Sequence, residues 1–288
     1  MPAVGTRGTL QLTAGNCTWN ASTPVLWVVV SLTGTGSGGF YYNIAPNFGT
    51  NGRRVIIPVG DRTLTIDQAG ATGTPDERFV SLLYYSFFGR IPSTQEIAVQ
   101  TAALRSMSRT DLTLFFYGSD EFNLVGRFVA GLYVGLLNRD PEFAGYIYQR
   151  DALLNGIANP VSITGNFLLS QEFQLQNPNL TDASFVRVMY RQVLLREAKQ
   201  DEVDFQVREA LQKGVSRVQF AFSMLNTPEF RIGTGPRLTA FLLYACLLQR
   251  EATAIEKDGR ARAIASGTPL RDLVSEFVNS GEFLQLLQ

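Results

Sequence analysis

Four stretches of this chain repeat one another. FVSLLYYSFFGR (79–90), FVAGLYVGLLNR (128–139), FVRVMYRQVLLR (185–196) and LTAFLLYACLLQR (238–250) each begin on an aromatic or Leu, carry a Tyr in mid-segment and end on an Arg. The tyrosines are Tyr84, Tyr133, Tyr190 and Tyr244. Each stretch is followed by a short closing motif: SDEF at Ser119, SQEF at Ser170, TPEF at Thr227 and SGEF at Ser280. A period of roughly 50 residues marks a repeated supersecondary unit. Such units bury apolar faces against neighbours and present broad surfaces, which favours binding or assembly over unique catalytic chemistry.

The repeats are helical in pattern. Phe185, Val186, Met189, Tyr190 and Val193 fall on one face of a helix. In the third repeat, segments 199–214 and 216–226 read as two further helices parted by Gly214. The first repeat offers a capping box from Ser93 to Glu96. Four units of about three helices each therefore predict a mainly helical array, divided into pairs at 78–180 and 181–288.

The first seventy residues differ. Strand-like runs at 9–14, 25–32, 40–45, 54–59 and 63–68 are separated by Gly and Asn clusters, the pattern of a small immunoglobulin-like β-sandwich over residues 1–72. A short linker, 73–77, follows. The expected architecture is thus an α+β multidomain chain. Alternation in the third run places Phe40, Tyr42 and Ile44 in the core, with Tyr41 and Asn43 exposed. Gly34, Gly36 and Gly39 spell a G-x-G-x-x-G, but the loop runs into the strand FYYNIA. A dinucleotide site needs a helix there, so the motif reads as a hairpin turn. Trp19 and Trp27 read as core. Tyr41 is the better exposed platform for a sugar ring, with Asn43, Asn47 and Arg53 as hydrogen-bonding neighbours.

Charge and composition exclude several classes. Lys+Arg and Asp+Glu number 25 each, which removes the electrostatic drive of a nucleic-acid binder. Lys199, Lys213 and Lys257 are the only lysines, so the cations are nearly all planar guanidiniums. The longest apolar run, 238–248, is too short to span a bilayer, and the opening MPAVGTRG lacks the features of a signal peptide. Cys17 and Cys246 are the only cysteines, and there is no histidine. That removes His-based triads, the usual general base and Cys- or His-based zinc sites. A pair of carboxylates remains the one catalytic arrangement open to the chain. The expectation is a non-enzyme with no cofactor and no metal.

Arg90, Arg139, Arg196 and Arg250 recur in step with Glu121, Glu172, Glu229 and Glu282. They suggest ligand- or ion-binding pairs, or else a structural role. The structural reading explains more. Ser119, Ser170, Thr227 and Ser280 suit helix N-caps, with the Glu two places on favoured by the helix dipole and Pro228 suited to the first helical position. Each Arg would then bridge its Glu or cap the preceding helix.

Two resemblances add to this reading. CTWNAS (17–22), LWVVV (26–30), GTGSGGF (34–40), IAPNFGTNGRR (44–54) and LTIDQAG (64–70) resemble the BACON family of small bacterial β-sandwich modules. That implies an extracellular or envelope setting and a proposed carbohydrate-binding role. GLYVGLLNRDPEFAGYIYQRDALLNG (131–156) with NFLLSQEF (166–173) resembles the bacterial DUF4214 domain, and the likeness extends over most of 78–284. The first and last repeats lack the turn at Asp140, Pro141 and Gly145. Domains of this family resemble parts of secreted or surface-associated proteins. The expected function is a bacterial extracellular or cell-surface protein that engages glycans or envelope components. The alternative is a subunit that assembles with copies of itself into a layer, filament or appendage.

Overall fold

The computed structural model describes residues 1–30 and 33–288. Seven strands come first: β1 (Thr6–Leu12), β2 (Thr18–Asn20), β3 (Val28–Val30), β4 (Thr33–Thr35), β5 (Gly38–Ile44), β6 (Arg53–Val59) and β7 (Arg62–Gln68). They form antiparallel sheets in the orders β1-β5-β3, β2-β4 and β6-β7. The last two are tied by a bridge between Ala21 and Val59. Of the strand expected over 25–32, only Val28–Val30 is strand within the described residues; Ser31 and Leu32 lie outside them.

All three sheets contribute to one apolar core, including Trp19, Val28, Val30, Phe40, Ile44, Ile57 and Ile66. Phe40 and Ile44 are buried and Tyr41 is exposed as alternation requires, whereas Tyr42, expected in the core, and Asn43, expected outside, are both half-buried. The G-x-G-x-x-G segment does run from strand to strand, turning at Gly36 with φ +71°. It is not a hairpin, however: β4 pairs with β2 while β5 pairs with β1 and β3. The turn therefore carries the chain between sheets. Gly34 has a packing role, since a Cβ there would lie 2.2 Å from the Trp19 indole.

The helices begin sooner than the expected linker allows. Thr74 and Glu77 form a capping box that starts α1 (Pro75–Phe88). Then come α2 (Thr94–Ala103), α3 (Arg109–Gly118) and α4 (Asp120–Phe122), which runs through a π-helical turn, Asn123–Arg127, into α5 (Phe128–Leu137). Next are α6 (Phe143–Leu154), α7 (Pro160–Leu169), α8 (Gln171–Gln176), α9 (Asp182–Val193), α10 (Gln200–Glu209) and α11 (Arg217–Leu225). The chain continues with α12 (Pro228–Gly233) and α13 (Gly235–Leu243), with a second π-helical turn at Tyr244–Leu248, and ends with α14 (Ala254–Ala265), α15 (Leu270–Val278) and α16 (Gly281–Gln285).

The array closes on itself, where the repeat pattern suggested extended surfaces. The second repeat packs on the third through α5 with α9 and α7 with α11. The fourth returns to the first, α15 against α3 and Tyr244–Leu248 against α1. One core consequently runs from Phe79 to Leu287, across the division expected at 180/181. The turn peculiar to the second repeat has its partners in this closure: Asp140 accepts Arg237 at 2.8 Å and also pairs with Lys257.

The strand and helical parts are joined. Phe48 belongs to the helical core, its ring 5.8 Å from that of Tyr85. The Gln288 carbonyl accepts the backbone N–H groups of Thr50 and Asn51 at 2.9 and 3.3 Å.

Close approach between α5 and the third repeat depends on two glycines. A Cβ at Gly131 would stand 3.1 Å from the Phe230 ring, and one at Gly135 would stand 2.6 Å from Leu225. Overpacking at such a contact costs about 1–3 kcal/mol. Gly135→Val should therefore lower stability to chemical denaturation by that amount, and an unchanged midpoint would show that α5 does not need the small residue.

Candidate functional site

The recurring arginines organise four equivalent clusters. Each first helix ends on a residue in the left-handed conformation: Gly89 (φ +66°), Asn138 (+51°), Leu195 (+57°) and Gln249 (+53°). This turn brings the next residue, the Arg, back over the Tyr of its own helix. The guanidinium carbons lie 4.9, 5.1, 4.8 and 5.0 Å from the ring centroids of Tyr84, Tyr133, Tyr190 and Tyr244. Nε of Arg90, Arg139, Arg196 and Arg250 donates to Glu121, Glu172, Glu229 and Glu282 at 2.9, 2.6, 2.6 and 2.5 Å.

A second carboxylate completes each cluster. Arg90, Arg196 and Arg250 hold Glu96, Glu202 and Glu256 at 2.8 Å, and Arg139 holds Glu142 at 2.9 Å. Glu96, Glu202 and Glu256 also accept the backbone N–H of Ser93, Lys199 and Thr253 at 2.7–2.8 Å, capping the next helix. Sequence reasoning found the Ser93–Glu96 box but not its link to Arg90. The signal was present, because Glu96, Glu202 and Glu256 all follow their Arg at one spacing; the second repeat breaks it with Glu142.

The closing motifs cap helices as expected. Phe122, Phe173, Phe230 and Phe283 donate their N–H groups to the hydroxyls of Ser119, Ser170, Thr227 and Ser280 at 3.1–3.3 Å. Behind the tyrosines, Phe116, Phe167 and Phe277 pack edge-on at 4.8–4.9 Å. Thr227 follows Met224 at the corresponding place.

Arginine hydrogen bonds, helped by the backbone N–H, hold Glu96 and Glu202 at about 2. Arg250 does the same to Glu256, also about 2. These carboxylates stay ionised at neutral pH, so they cannot serve there as general acids. They bind their own chain.

The proposed sugar-platform residues divide. Tyr41 and Asn43 lie on one face of β5, opposite Thr9 and Arg7 of β1, with Val29 also opposite Asn43. Tyr41 is 41% exposed. This face adjoins α6: Arg7 donates to the Asn155 side chain at 2.5 Å, and Tyr148 is 70% exposed. Partial burial raises the Tyr41 hydroxyl pKa, with Arg7 opposing and Asp151 and Tyr148 adding to the shift. Asn47 and Arg53 sit elsewhere. Asn47 is buried and donates to the Asn51 and Ala69 carbonyls at 2.8 and 3.0 Å. Arg53 donates to the Ala45 and Pro46 carbonyls, stacks 4.2 Å over Trp27, and has its pKa lowered to about 10, chiefly by burial. Both brace the β5–β6 connection. Sequence reasoning missed the α6 contribution because no local pattern joins residues so far apart in the chain.

A cavity of about 690 Å³ also opens at the edge of the strand region, walled by Leu12, Trp19, Phe40 and Leu64 with Asp61 and Arg62 at its rim. Cys17 is exposed beside it, whereas Cys246 is buried and its thiol is pushed up to about 12 by burial. Among the described residues, no group of three His, Cys, Asp or Glu is placed to hold a metal. No helix among them is long and apolar enough to cross a membrane.

Helical repeats closed around arginine–glutamate clusters define the class of the larger part of the molecule. A family described as a domain of unknown function, DUF4214, matches residues 164–233. The match runs from α7 through α12 and contains the whole Arg196 cluster. It falls on the third repeat and the end of the second, so the turn at Asp140 lies outside it. No curated protein matches the chain. Among solved structures, a Bacteroides ovatus GH5 xyloglucanase in complex with a XXXG heptasaccharide aligns at 22% identity over 26% of this chain and 18% of that one, with a TM-score of 0.23. An overlap that small and loose defines no shared fold.

The clusters give three expectations. Glu96, Glu202 and Glu256 have folded-state pKa values below their ordinary 4.5. Their contribution is present above 4.5 and is lost as pH falls towards 2. Thermal melts should show an acid limb in that window, flattened in the E96Q/E202Q/E256Q variant; an equally steep limb would place acid sensitivity elsewhere. Arg250→Met removes two ion pairs and a ring contact and should cost about 2 kcal/mol in denaturant titration. Leu195 holds a conformation that penalises a Cβ, so Leu195→Gly should raise stability by about 1 kcal/mol.

Proposed function

We propose that the chain is a non-catalytic bacterial extracellular or cell-surface protein, in which a BACON-like β-module binds glycan or another envelope component on a helical scaffold of four three-helix units. In this reading residues 1–72 are an immunoglobulin-like sandwich. The bridged sheets β2-β4 and β6-β7, sharing a core with β1-β5-β3, support it. The four arginine clusters support the division of the helical part.

The observation that carries the binding site is the face holding exposed Tyr41 and Arg7 and half-buried Asn43, next to Tyr148 and Asn155. Flat aromatic faces complement the C–H faces of sugar rings, and planar amide and guanidinium groups suit their hydroxyls. Asp151, which acts electrostatically on Tyr41, is already held by buried Arg150 through its Oδ1. A glycan array probed with the full chain should return saccharides whose affinity falls about tenfold in Y41A/Y148A, a loss of about 1.4 kcal/mol. No saccharide retained, or equal retention by the variant, removes this assignment.

Self-assembly is the second reading, supported by apolar side chains left on the helical surface. Leu169 and Ile232 are each 77% exposed. Leu195 is also exposed and reaches Gly233, the neighbour of Ile232. Light scattering and negative-stain microscopy over a concentration series distinguish the two. Regular polymers that are lost in Leu195→Ser/Ile232→Ser favour assembly, and a monomer throughout excludes it.

A further inference from the structure

We infer that the helical domain has a second binding site, for a small organic carboxylate with an apolar body, in the cavity between α4–α5 and α12–α13. The cavity encloses about 220 Å³ and is formed where the two helical links between repeats face each other. Arg127 and Arg231 both line it, one from each link. Phe128, Leu225 and Leu238 provide apolar walls. No acidic residue lines it among the described residues.

Most arginines in the four repeats are paired with carboxylates, as the clusters above illustrate. These two differ. Arg127 is half-buried and stacks 4.6 Å over Tyr117, with Nε donating to the Asn123 side chain at 2.8 Å. Its plane is held from two directions, and the terminal Nη groups have no carboxylate. Arg231 is exposed and has no ion-pair partner among the described residues. The neighbouring amides already serve the backbone: Asn123 donates to the Gly118 carbonyl at 3.3 Å and Asn226 to that of Phe222 at 2.8 Å.

Two guanidiniums line one cavity with no carboxylate among its lining residues, and an entering anion would accept charge-assisted hydrogen bonds from them. Planar guanidiniums match a carboxylate in particular. The apolar walls require that the anion carry a hydrocarbon portion, and the volume restricts it to a single ring or a short chain. The π-helical turn at Asn123–Arg127 also fits, because such turns are frequent at functional sites. The position is separate from the Tyr41 face, so this site stands or falls independently of the glycan reading.

Benzoate is the probe. Calorimetric titration of the full chain should give saturable 1:1 binding that weakens as salt is raised. Benzyl alcohol, which has the ring without the charge, and acetate, which has the charge without the ring, should bind at least about tenfold more weakly, a difference of about 1.4 kcal/mol. Arg231→Gln alters an exposed side chain and keeps the fold testable; it should weaken benzoate about tenfold, as should Arg127→Gln where its melting curve remains cooperative. No saturable benzoate binding at millimolar concentration overturns the proposal. So does equal affinity for benzyl alcohol, or benzoate affinity unchanged in Arg231→Gln.

Discussion

The helical part depends on one arrangement made four times: a guanidinium lying over a tyrosine and held by two carboxylates. Each cluster joins three places in its repeat. The Tyr belongs to the first helix, one Glu stands at the start of the second and caps it in all but the second repeat, and the other Glu opens the short helix after the third. An exposed ion pair is worth little alone. Here the same cation is fixed by a ring and two carboxylates, at least one of them bidentate in every cluster, so much of the ordering cost is shared among several contacts. The left-handed residue before each Arg makes this geometry reachable. Leu195 and Gln249 adopt that conformation although their side chains disfavour it, which indicates how firmly the cluster dictates the local backbone.

That arrangement also determines where function can reside. The recurring carboxylates and guanidiniums satisfy one another, so the features most visible in the sequence are those least available to a ligand. Binding must use groups outside the clusters. The strand region presents Tyr41 and Asn43 against α6, and the links between repeats leave Arg127 and Arg231 without counterions. Both places combine residues from distant parts of the chain: the first forms where the strand region meets α6, the second where helices of different repeats pack.

Much of the local structure was legible. The period located all four first helices, the Ser/Thr caps were read correctly, and alternation placed Phe40 and Ile44 inside and Tyr41 outside. These are short-range effects of helix geometry and pleat. Long-range pairing was not legible. The turn at Gly36 connects two sheets where a hairpin was expected, because strand partners are chosen by the shared core and not by the turn alone. Asn47 and Arg53, expected as hydrogen-bonding neighbours of Tyr41, instead donate to backbone carbonyls around the β5–β6 connection. The partners of the turn at Asp140, Arg237 and Lys257, lie about a hundred residues along the chain, beyond any local pattern.

The repeats are not four equal units, and their differences alternate. In the first and third, an Asp near the start of the first helix pairs with an Arg on the third helix: Asp76 with Arg109 and Asp182 with Arg217, each at 2.7 Å. Those arginines lie over Phe79 and Phe185 at 4.8 and 5.3 Å. The second repeat is entered by the continuous path α4–α5, and the fourth by the close succession of α12 and α13. A new helix start with its own charged brace thus alternates with an inherited helix that needs none. Packing the two inherited links against each other, with Gly131 and Gly135 allowing Phe230 and Leu225 to approach, leaves side chains from both links around one cavity. Arg127 and Arg231 therefore meet at one cavity because the two links that carry them pack together.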